Sequence, residues 1–388
     1  MGLLFELHER LTNEFGLNKR YGRIDENVVF YTYPFESQFD SNFALFGGNE
    51  TDAAKDSDLF DGNNPGNRFF RYPVFVPQQR DKNANAVFLL HGLNERRWDK
   101  YLLWAYQLAL ETGAPVVLFP LANHINRSPD AWAYPRKMID VVKNRKDHYG
   151  VIENSSFANV ALSSRVDRNP EVFISSGVQS FLDVVALTRE INSGKHPLFF
   201  EGTKVDFFSY SIGAFVTELL LMSNPHELYS TSKAFLFCGG ATLDQMDARS
   251  KSILDDRAFQ VLQRFINNFE ISNASSGLFE FLKPFGNSVK DVFMSMIKMD
   301  RLRAEREKIL RLLSHRIMAV GLNYDLVIPG KSISRTFCMG DCKNVSVADF
   351  DFKYSHETPF PFTDFSVTSK VEEAFRKIFG KASLFLKE

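Results

Sequence analysis

The chain of 388 residues is long enough for one large domain or two smaller ones, and its hydrophobic fraction of 44% is enough for a sizeable core. Its 46 basic and 47 acidic side chains nearly cancel and form no extended basic stripe, so charge gives no support to a nucleic-acid partner. We therefore expect a globular protein that does not bind nucleic acid. The 39 phenylalanines are scattered along the chain, which predicts an aromatic-rich core.

The cysteines and the N-terminal segment bear on the compartment. Three cysteines, Cys238, Cys338 and Cys342, are too few for a disulfide framework and favour a reducing environment. Cys338 and Cys342 have neither the spacing of a redox pair nor enough neighbouring ligands for zinc, so we expect inert thiols. Residues 1–9 mix acids with apolar residues, which is typical of an amphipathic helix and not of a signal peptide. Because no run of about 18 apolar residues exists, the sequence predicts a cytoplasmic protein with no membrane span.

The first segment, residues 1–69, is predicted to be an extension of the main domain. It contains a short helix, a strand at residues 27–32 and a polar loop at residues 47–67. The aspartates of this loop do not fit the register of an EF-hand calcium site, so we predict a solvated loop.

From residue 69 onward, strand-like segments alternate with helix-like segments. The predicted strands are residues 69–76, 86–90, 116–120, 204–208, 234–238, 317–322 and 345–352. The predicted helices are residues 100–111, 178–192, 212–222 and 370–379. This alternation predicts an α/β fold with a mainly parallel sheet and helices on both faces.

Two segments interrupt the alternation. Residues 122–177 are polar and irregular, whereas residues 242–314 are helical and rich in charge. Apolar residues of the second segment fall on one helical face in each of two stretches, namely Phe259, Leu262, Phe265, Ile266 and Phe269, then Val289, Val292, Phe293, Met296 and Ile297. We therefore predict an α/β core at residues 70–241 and 315–388, with a helical cap at residues 242–314 over the ends of the strands.

Ser211 lies on a predicted sharp turn between a hydrophobic strand and a hydrophobic helix. The small residues Ser209 and Gly213 allow this turn, which exposes the Ser211 hydroxyl near the positive end of the following helix. The usual pattern for such a turn is Gly-x-Ser-x-Gly, and here Ser209 stands in place of the first glycine. The pentapeptide alone is weak, because serine and glycine also cap helices and close ordinary turns.

A serine hydroxyl becomes a good nucleophile when a base takes its proton and an acid orients that base. In an open α/β sheet, functional groups gather at the carboxyl ends of the strands. Asp325 and His356 follow the last two predicted strands at those ends, so the order along the chain is Ser211, Asp325, His356. Asp244 and Asp247, which follow the preceding strand, are the alternative acids.

This order and the turn at Ser211 resemble the α/β-hydrolase superfamily. A third element is the strand that runs into His91 and Gly92, which is similar to the oxyanion-loop motif of that family. The resemblance covers residues 70 to 241 and 315 to 388. It implies that the backbone amides of Leu93 and Ile212 hold a developing oxyanion, and such donors are worth roughly 3 kcal/mol each in the transition state.

Within the superfamily, two runs resemble an uncharacterised group of bacterial hydrolases, Leu93-Asn94-Glu95-Arg96 and Phe237-Cys238-Gly239-Gly240. Arginine binds carboxylate or phosphate in a bidentate manner, so Arg96 and Arg127 are candidate substrate contacts, with Asn94 and Tyr210 beside them. The alternative for both arginines is an ordinary ion pair between loops.

The sequence thus predicts a serine hydrolase that acts on a small-molecule carboxylic ester or thioester, with neither a metal nor an organic cofactor. Acyl transfer or amide cleavage by the same residues is an open alternative. So is a binding protein that uses the same scaffold without catalysis. The oligomeric state also stays open, and an apolar cap helix that pairs across a homodimer is one arrangement.

Overall fold

The computed structural model describes residues 2–39, 64–78, 82–269, 281–337 and 343–388. Most of the predicted solvated loop at residues 47–67 lies outside these ranges, as do Cys338 and Cys342. The expectations for that loop and for those thiols therefore stay predictions.

The described residues contain nine strands in a single sheet. They are β1 (Tyr21–Arg23), β2 (Val28–Glu36), β3 (Phe69–Pro77), β4 (Asn83–Leu90), β5 (Val116–Leu118), β6 (Phe199–Tyr210), β7 (Ala234–Phe237), β8 (Ile317–Leu322) and β9 (Val345–Ala348). Their order across the sheet is β1-β2-β3-β5-β4-β6-β7-β8-β9. The pairs β1–β2, β2–β3 and β3–β5 are antiparallel, and all later pairs are parallel. The predicted, mainly parallel sheet is confirmed.

Helices pack on both faces of the sheet. They are α1 (Leu3–Glu14), α2 (Pro65–Arg68), α3 (Asp99–Thr112), α4 (Pro135–Tyr149), α5 (Val160–Arg168), α6 (Glu171–Asn192), α7 (Ile212–Ser223), α8 (Asp256–Asn267), α9 (Asn287–Ile297), α10 (Arg303–Leu313), α11 (Gly330–Phe337) and α12 (Thr368–Lys387). Short 3₁₀ turns lie at Ile125–Arg127, Asp130–Ala133, Pro225–Glu227, Leu243–Gln245, Lys283–Phe285 and Phe365–Val367.

The central strands are mainly hydrophobic along the stretches where both of their faces are buried. In β4, Phe88 and Leu90 belong to one apolar cluster, whereas Val87 and Leu89 belong to the cluster on the opposite face. Successive side chains of a strand point to opposite faces, so a strand between two layers of helices needs apolar residues at every position.

The N-terminal segment is part of the sheet, which differs from the predicted extension. Strand β2 pairs with β3 along its whole length, and its residues Val28, Val29 and Phe30 are buried. Helix α1 packs on α3, and Glu372 of α12 accepts a hydrogen bond of 2.7 Å from the Leu4 amide. Because β2 pairs with β3 and α1 packs on α3, residues 2–36 belong to the same packed unit as the predicted core.

The prediction that residues 122–177 are irregular is wrong in part, because this segment contains the helices α4 and α5. Only a few apolar residues of α4 are buried, among them Met138 and Val141, so its periodic signal is weak. Ion pairs add to the small apolar cluster that joins α4 and α5. Arg145 contacts Asp167 at 3.1 Å and Asp255 at 2.8 Å, which ties α4 to α5 and to the start of α8.

The predicted cap at residues 242–314 divides into two parts. Helix α8 packs on α5, and its side chains line a space beside Ser211. Helix α9 packs instead on α7, and its Phe293 ring lies 5.4 Å from the ring of Phe181 on α6. The second apolar stripe is therefore part of the main core and not of a lid.

Helix α6 is 22 residues long and hydrophobic enough, by length and composition, to cross a membrane. In the structure it packs on β6, and 61% of its most apolar window is buried. Such burial is typical of the central helix of an α/β layer.

Candidate active site

Ser211 lies between β6 and α7 in a conformation that side-chain-bearing residues rarely adopt, with φ 57° and ψ −121°. A Cβ at Gly213 would lie 2.7 Å from the Leu90 carbonyl oxygen and 2.8 Å from that of His91. Glycine at 213 therefore permits the close approach of α7 to the loop after β4. The strained serine and this glycine together produce the predicted sharp turn.

The structure brings the three predicted residues of the triad together. The Ser211 hydroxyl lies 2.7 Å from Nε2 of His356, and Nδ1 of His356 lies 2.7 Å from Oδ2 of Asp325. All three side chains are buried. Because the carboxylate accepts from Nδ1–H, the ring is held in the tautomer whose Nε2 accepts the serine proton.

Asp325 is held in place by further donors. Its Oδ1 accepts from the amides of Val327 at 2.9 Å and Ile328 at 2.8 Å. The buried Cys238 thiol also donates to Asp325, and burial together with this carboxylate holds the pKa of the thiol well above its usual range. The sequence analysis assigned no role to Cys238, and its position beside the carboxylate became visible only in three dimensions.

The alternative acids contact other groups. Oδ1 of Asp244 accepts from Thr242 at 2.7 Å and from the Met299 amide at 3.0 Å. Asp247 forms an ion pair with Arg249. Neither of these two carboxylates is hydrogen-bonded to His356, so Asp325 is the acid that holds the ring in this structure.

The two predicted oxyanion donors, Leu93 and Ile212, both line the space beside Ser211. Within the described ranges, neither amide has a hydrogen-bond acceptor in the protein. His91 braces the loop that carries Leu93, because its Nε2 accepts from the Leu121 amide at 2.9 Å and its Nδ1 donates to the Gly92 carbonyl at 2.8 Å. Burial lowers the pKa of His91 to about 3, so the ring stays neutral and keeps both contacts.

Three cavities meet at the turn. The largest, of about 520 Å³, is lined by Ser211 and His356. Two narrower cavities of about 80 and 60 Å³ lie beyond Leu93 and Ile212. We call them the wide cavity and the two apolar cavities. His8 of α1 also lines the wide cavity, and no sequence signal connects that residue with the distant turn.

Two predicted substrate contacts have other roles in the structure. Arg127 is fully buried, lies outside all three cavities, and pairs with Asp183 at 2.7 Å. Asn94 lines the wide cavity, but its amide nitrogen donates to the carbonyls of Ala158 at 2.8 Å and Ser252 at 2.6 Å. The prediction for Arg127 is therefore wrong, and Asn94 joins two loops of the cavity wall.

Tyr210 lines the wide cavity and its ring stacks on His356, with centroids 5.4 Å apart and an angle of 23°. Its buried hydroxyl has no hydrogen-bond partner among the described residues. The ring thus supports one face of the imidazole. Arg96, the remaining candidate, also lines the wide cavity.

Across the described ranges, no group of three or more His, Cys, Asp or Glu side chains is arranged to hold a metal ion.

The mixed sheet with helices on both faces, and the strand-turn-helix at Ser211, define a protein of the α/β-hydrolase fold. The chain belongs to a family of unknown function, DUF6051, whose model matches residues 5–387. No curated protein matches the sequence.

Several solved structures of esterases are similar to this chain. A cold-adapted esterase from an Arctic intertidal metagenomic library has 11% identity and a TM-score of 0.41, with 96% of this chain and 98% of that chain covered. A thermostable esterase from Pseudomonas putida has 11% identity and a TM-score of 0.42, with coverage of 100% and 93%. The Pyrococcus furiosus esterase has 14% identity and a TM-score of 0.38, with coverage of 82% and 87%. At such low similarity, activity has to be inferred from the site itself.

Proposed function

We propose that this protein is a serine hydrolase that cleaves a carboxylic ester or thioester through an acyl-enzyme on Ser211. The observation that carries the proposal is the unbroken chain of contacts from the Ser211 hydroxyl through His356 to Asp325, each 2.7 Å long. Nucleophile, base and orienting acid are within hydrogen-bond reach of one another, which is the geometry that serine catalysis requires.

In the first half of the reaction, Ser211 attacks the substrate carbonyl carbon while Nε2 of His356 accepts the hydroxyl proton. Asp325 stabilises the imidazolium that forms, and the amides of Leu93 and Ile212 donate to the oxyanion. When the intermediate collapses, the bond to the leaving group breaks and His356 returns the proton to that group. Water then attacks the acyl-enzyme, again with His356 as base, and releases the acid and free Ser211.

Acyl transfer and amide cleavage use the same residues and differ in acceptor or leaving group. A binding protein without catalysis has no need of a strained nucleophile turn, whose backbone conformation costs about 1–3 kcal/mol. The retention of that turn beside a complete set of partners favours an enzyme. Comparing product formed with water against product formed with added amines or alcohols separates hydrolysis from transfer.

Labelling with a serine-directed fluorophosphonate tests the proposal. We expect the wild-type protein to be labelled and Ser211→Ala to be unlabelled, with ester turnover lower by about 10⁴-fold or more. Ser223→Ala is the matched control, because Ser223 is on α7 and its hydroxyl donates to the Leu219 carbonyl of the same helix. Equal labelling of Ser211→Ala and wild type, or no labelling of either, contradicts the proposal.

A further inference from the structure

Arg96 places a guanidinium in the wall of the wide cavity, and it forms no direct ion pair with a carboxylate of the described residues. Its guanidinium lies 4.7 Å from the ring centroid of Trp132, and Nη2 donates to the side-chain oxygen of Asn94. Its Nε is buried and has no hydrogen-bond partner among the described residues. The neighbouring acid, Glu95, is bound by Lys100 and by the hydroxyl of Tyr101.

The guanidinium stays charged at neutral pH. Burial first, and then the nearby Arg165, lower the pKa of Arg96 to about 9, although the Glu95 carboxylate opposes this shift, and the value is still well above neutrality. Arg165 lies 5.2 Å from the centroid of the same Trp132 ring, so two cations flank one indole. A partly buried cation that forms no direct ion pair is costly, and an anion in the wide cavity relieves that cost.

The lining residues of the cavities indicate which cavity holds the leaving group of an ester and which holds the acyl group. The leaving group has to face His356, because Nε2 of this residue protonates it. Of the three cavities, the wide one is lined by His356 and also by Arg96. The leaving group and the Arg96 guanidinium are thus on the same side of Ser211. The other charged residues that line this cavity are Glu95, Arg97, Asp99, Lys100 and Glu357.

The acyl end is left to the apolar cavities beyond Leu93 and Ile212. The first is lined by Phe259, Leu262 and Ile266 of α8, and the second by Phe173, Phe215 and Val216. One water needs about 10–15 Å³ of such volume, so cavities of 80 and 60 Å³ each have room for roughly five heavy atoms. Space and polarity there fit a short hydrocarbon chain.

We propose, on the basis of the proposed function, that the substrate is an ester or thioester of a short apolar acyl group whose alcohol or thiol bears a carboxylate or phosphate bound by Arg96. Cleavage releases a short carboxylic acid and an anionic alcohol or thiol. The planar guanidinium suits either anion, because both accept two parallel N–H donors.

Three acetyl esters of para-substituted phenols test whether an anion on the leaving group is recognised. They are 4-acetoxybenzoate, 4-acetoxyphenyl phosphate and the neutral methyl 4-acetoxybenzoate. Each kcat/KM is divided by the rate of the same ester with hydroxide, which corrects for leaving-group reactivity. We expect the wild-type protein to prefer at least one anionic ester over the neutral ester by about tenfold or more. The preferred ester identifies the anion as carboxylate or phosphate.

Variants of Arg96 assign the preference to its side chain. Arg96→Gln is expected to reduce the ratio of anionic to neutral kcat/KM to about one, and Arg96→Lys to retain part of it. Arg189→Gln is the control for a lost positive charge. Arg189 is exposed near the carboxyl end of α6, just before β6 begins, whereas Ser211 follows the opposite end of β6. Its ratio should equal that of the wild-type protein.

Wild-type protein alone provides a second measurement that does not depend on variant folding. We expect benzoate or phenyl phosphate to inhibit neutral-ester hydrolysis competitively, at concentrations about tenfold or more below those of benzamide. Hydrolysis should also fall for acyl chains longer than roughly six carbons, because the apolar cavities are short.

The outcomes separate this inference from the proposed function. If all three esters are cleaved with equal corrected kcat/KM and cleavage depends on Ser211, the inference is overturned while the hydrolase proposal stands. If no ester is cleaved and fluorophosphonate does not label Ser211, the proposed function itself fails. Preference for an anion that persists in Arg96→Gln overturns the assignment to Arg96.

Discussion

The hydroxyl of Ser209 lies 2.6 Å from the hydroxyl of Thr217, across the turn that carries Ser211. Ser209 is the residue that replaces the first glycine of the usual pattern, and both it and Thr217 are completely buried. Ser209 belongs to the extended strand β6, so its Cβ requires no unusual backbone conformation. The substitution thus adds a hydrogen bond between strand and helix where glycine has none.

Thr217→Val removes the partner of the Ser209 hydroxyl while it preserves side-chain shape. We expect the free energy of unfolding to fall by about 1–3 kcal/mol, because a buried hydroxyl is left unpaired. The double variant Ser209→Ala, Thr217→Val should cost less than the sum of the single variants. Urea denaturation of all four proteins measures this coupling, and strictly additive costs would show that the two hydroxyls do not interact.

Asp325→Asn should reduce kcat by about 10⁴-fold with little change in stability. The asparagine oxygen still accepts from the amides of Val327 and Ile328, but its NH₂ group disfavours the required tautomer of His356. Asp247→Asn is the matched control, since Asp247 pairs with Arg249, and we expect its kcat to stay within about twofold of wild type. Steady-state kinetics and thermal unfolding of both variants distinguish them. An equal loss in both would point to a general effect of removing charge.

His91→Leu should lower kcat by about 10² because the loop that carries Leu93 loses its brace, and misplacement by about 1 Å costs this much. His91→Gln can still accept from the Leu121 amide and should retain more activity. With the pKa of His91 at about 3, its ring contributes no step to the wild-type pH–rate profile between pH 5 and 9. Unchanged kcat in His91→Leu would mean that other contacts hold the loop.

Glu218 on α7 gives stability a pH dependence of its own. Its carboxyl oxygens are buried and have no hydrogen-bond partner in the described part of the chain, and burial raises the pKa well above its usual value. The folded protein therefore keeps a proton that the unfolded chain releases above about pH 4.5. As a result, the contribution of Glu218 to the free energy of unfolding falls as the pH rises above that value.

Glu218→Met removes that titration. We expect the free energy of unfolding of the variant, relative to that of the wild type, to increase between pH 5 and pH 8. The increase should be at most about 1.4 kcal/mol per pH unit. Exposed Glu373, changed to Gln, is the control and should show a flat difference. Urea midpoints across this pH range measure both, and a flat difference for Glu218→Met would show that the carboxyl is ionised in the folded state.

The positions of Ser211, Asp325 and His356 could be predicted because each follows a strand at the edge where parallel strands place functional groups. That signal is local in sequence and needs only the alternation of strands and helices. The structure brings the three side chains together, and their catalytic roles stay predictions until the kinetic tests are done.

Other features depend on partners that are far apart along the chain. Arg127 looked like a ligand-binding arginine because Asp183, which neutralises it, lies on a different element. Helices α4 and α5 were missed because charged contacts such as that of Arg145 with Asp255 replace much of the apolar periodicity. His8 reaches the wide cavity through the packing of α1, which no local pattern records.

The ion pairs between the inserted helices also bear on how a substrate reaches Ser211. Asp167 contacts Arg145 of α4 and, at 2.8 Å, Arg257 of α8, and Arg145 in turn contacts Asp255. Asp167 and Asp255 are almost inaccessible to water, so separating α8 from α4 and α5 would break ion pairs that are shielded from solvent. We therefore expect the three helices to stay associated during catalysis, so that substrate enters past the loops at their margins.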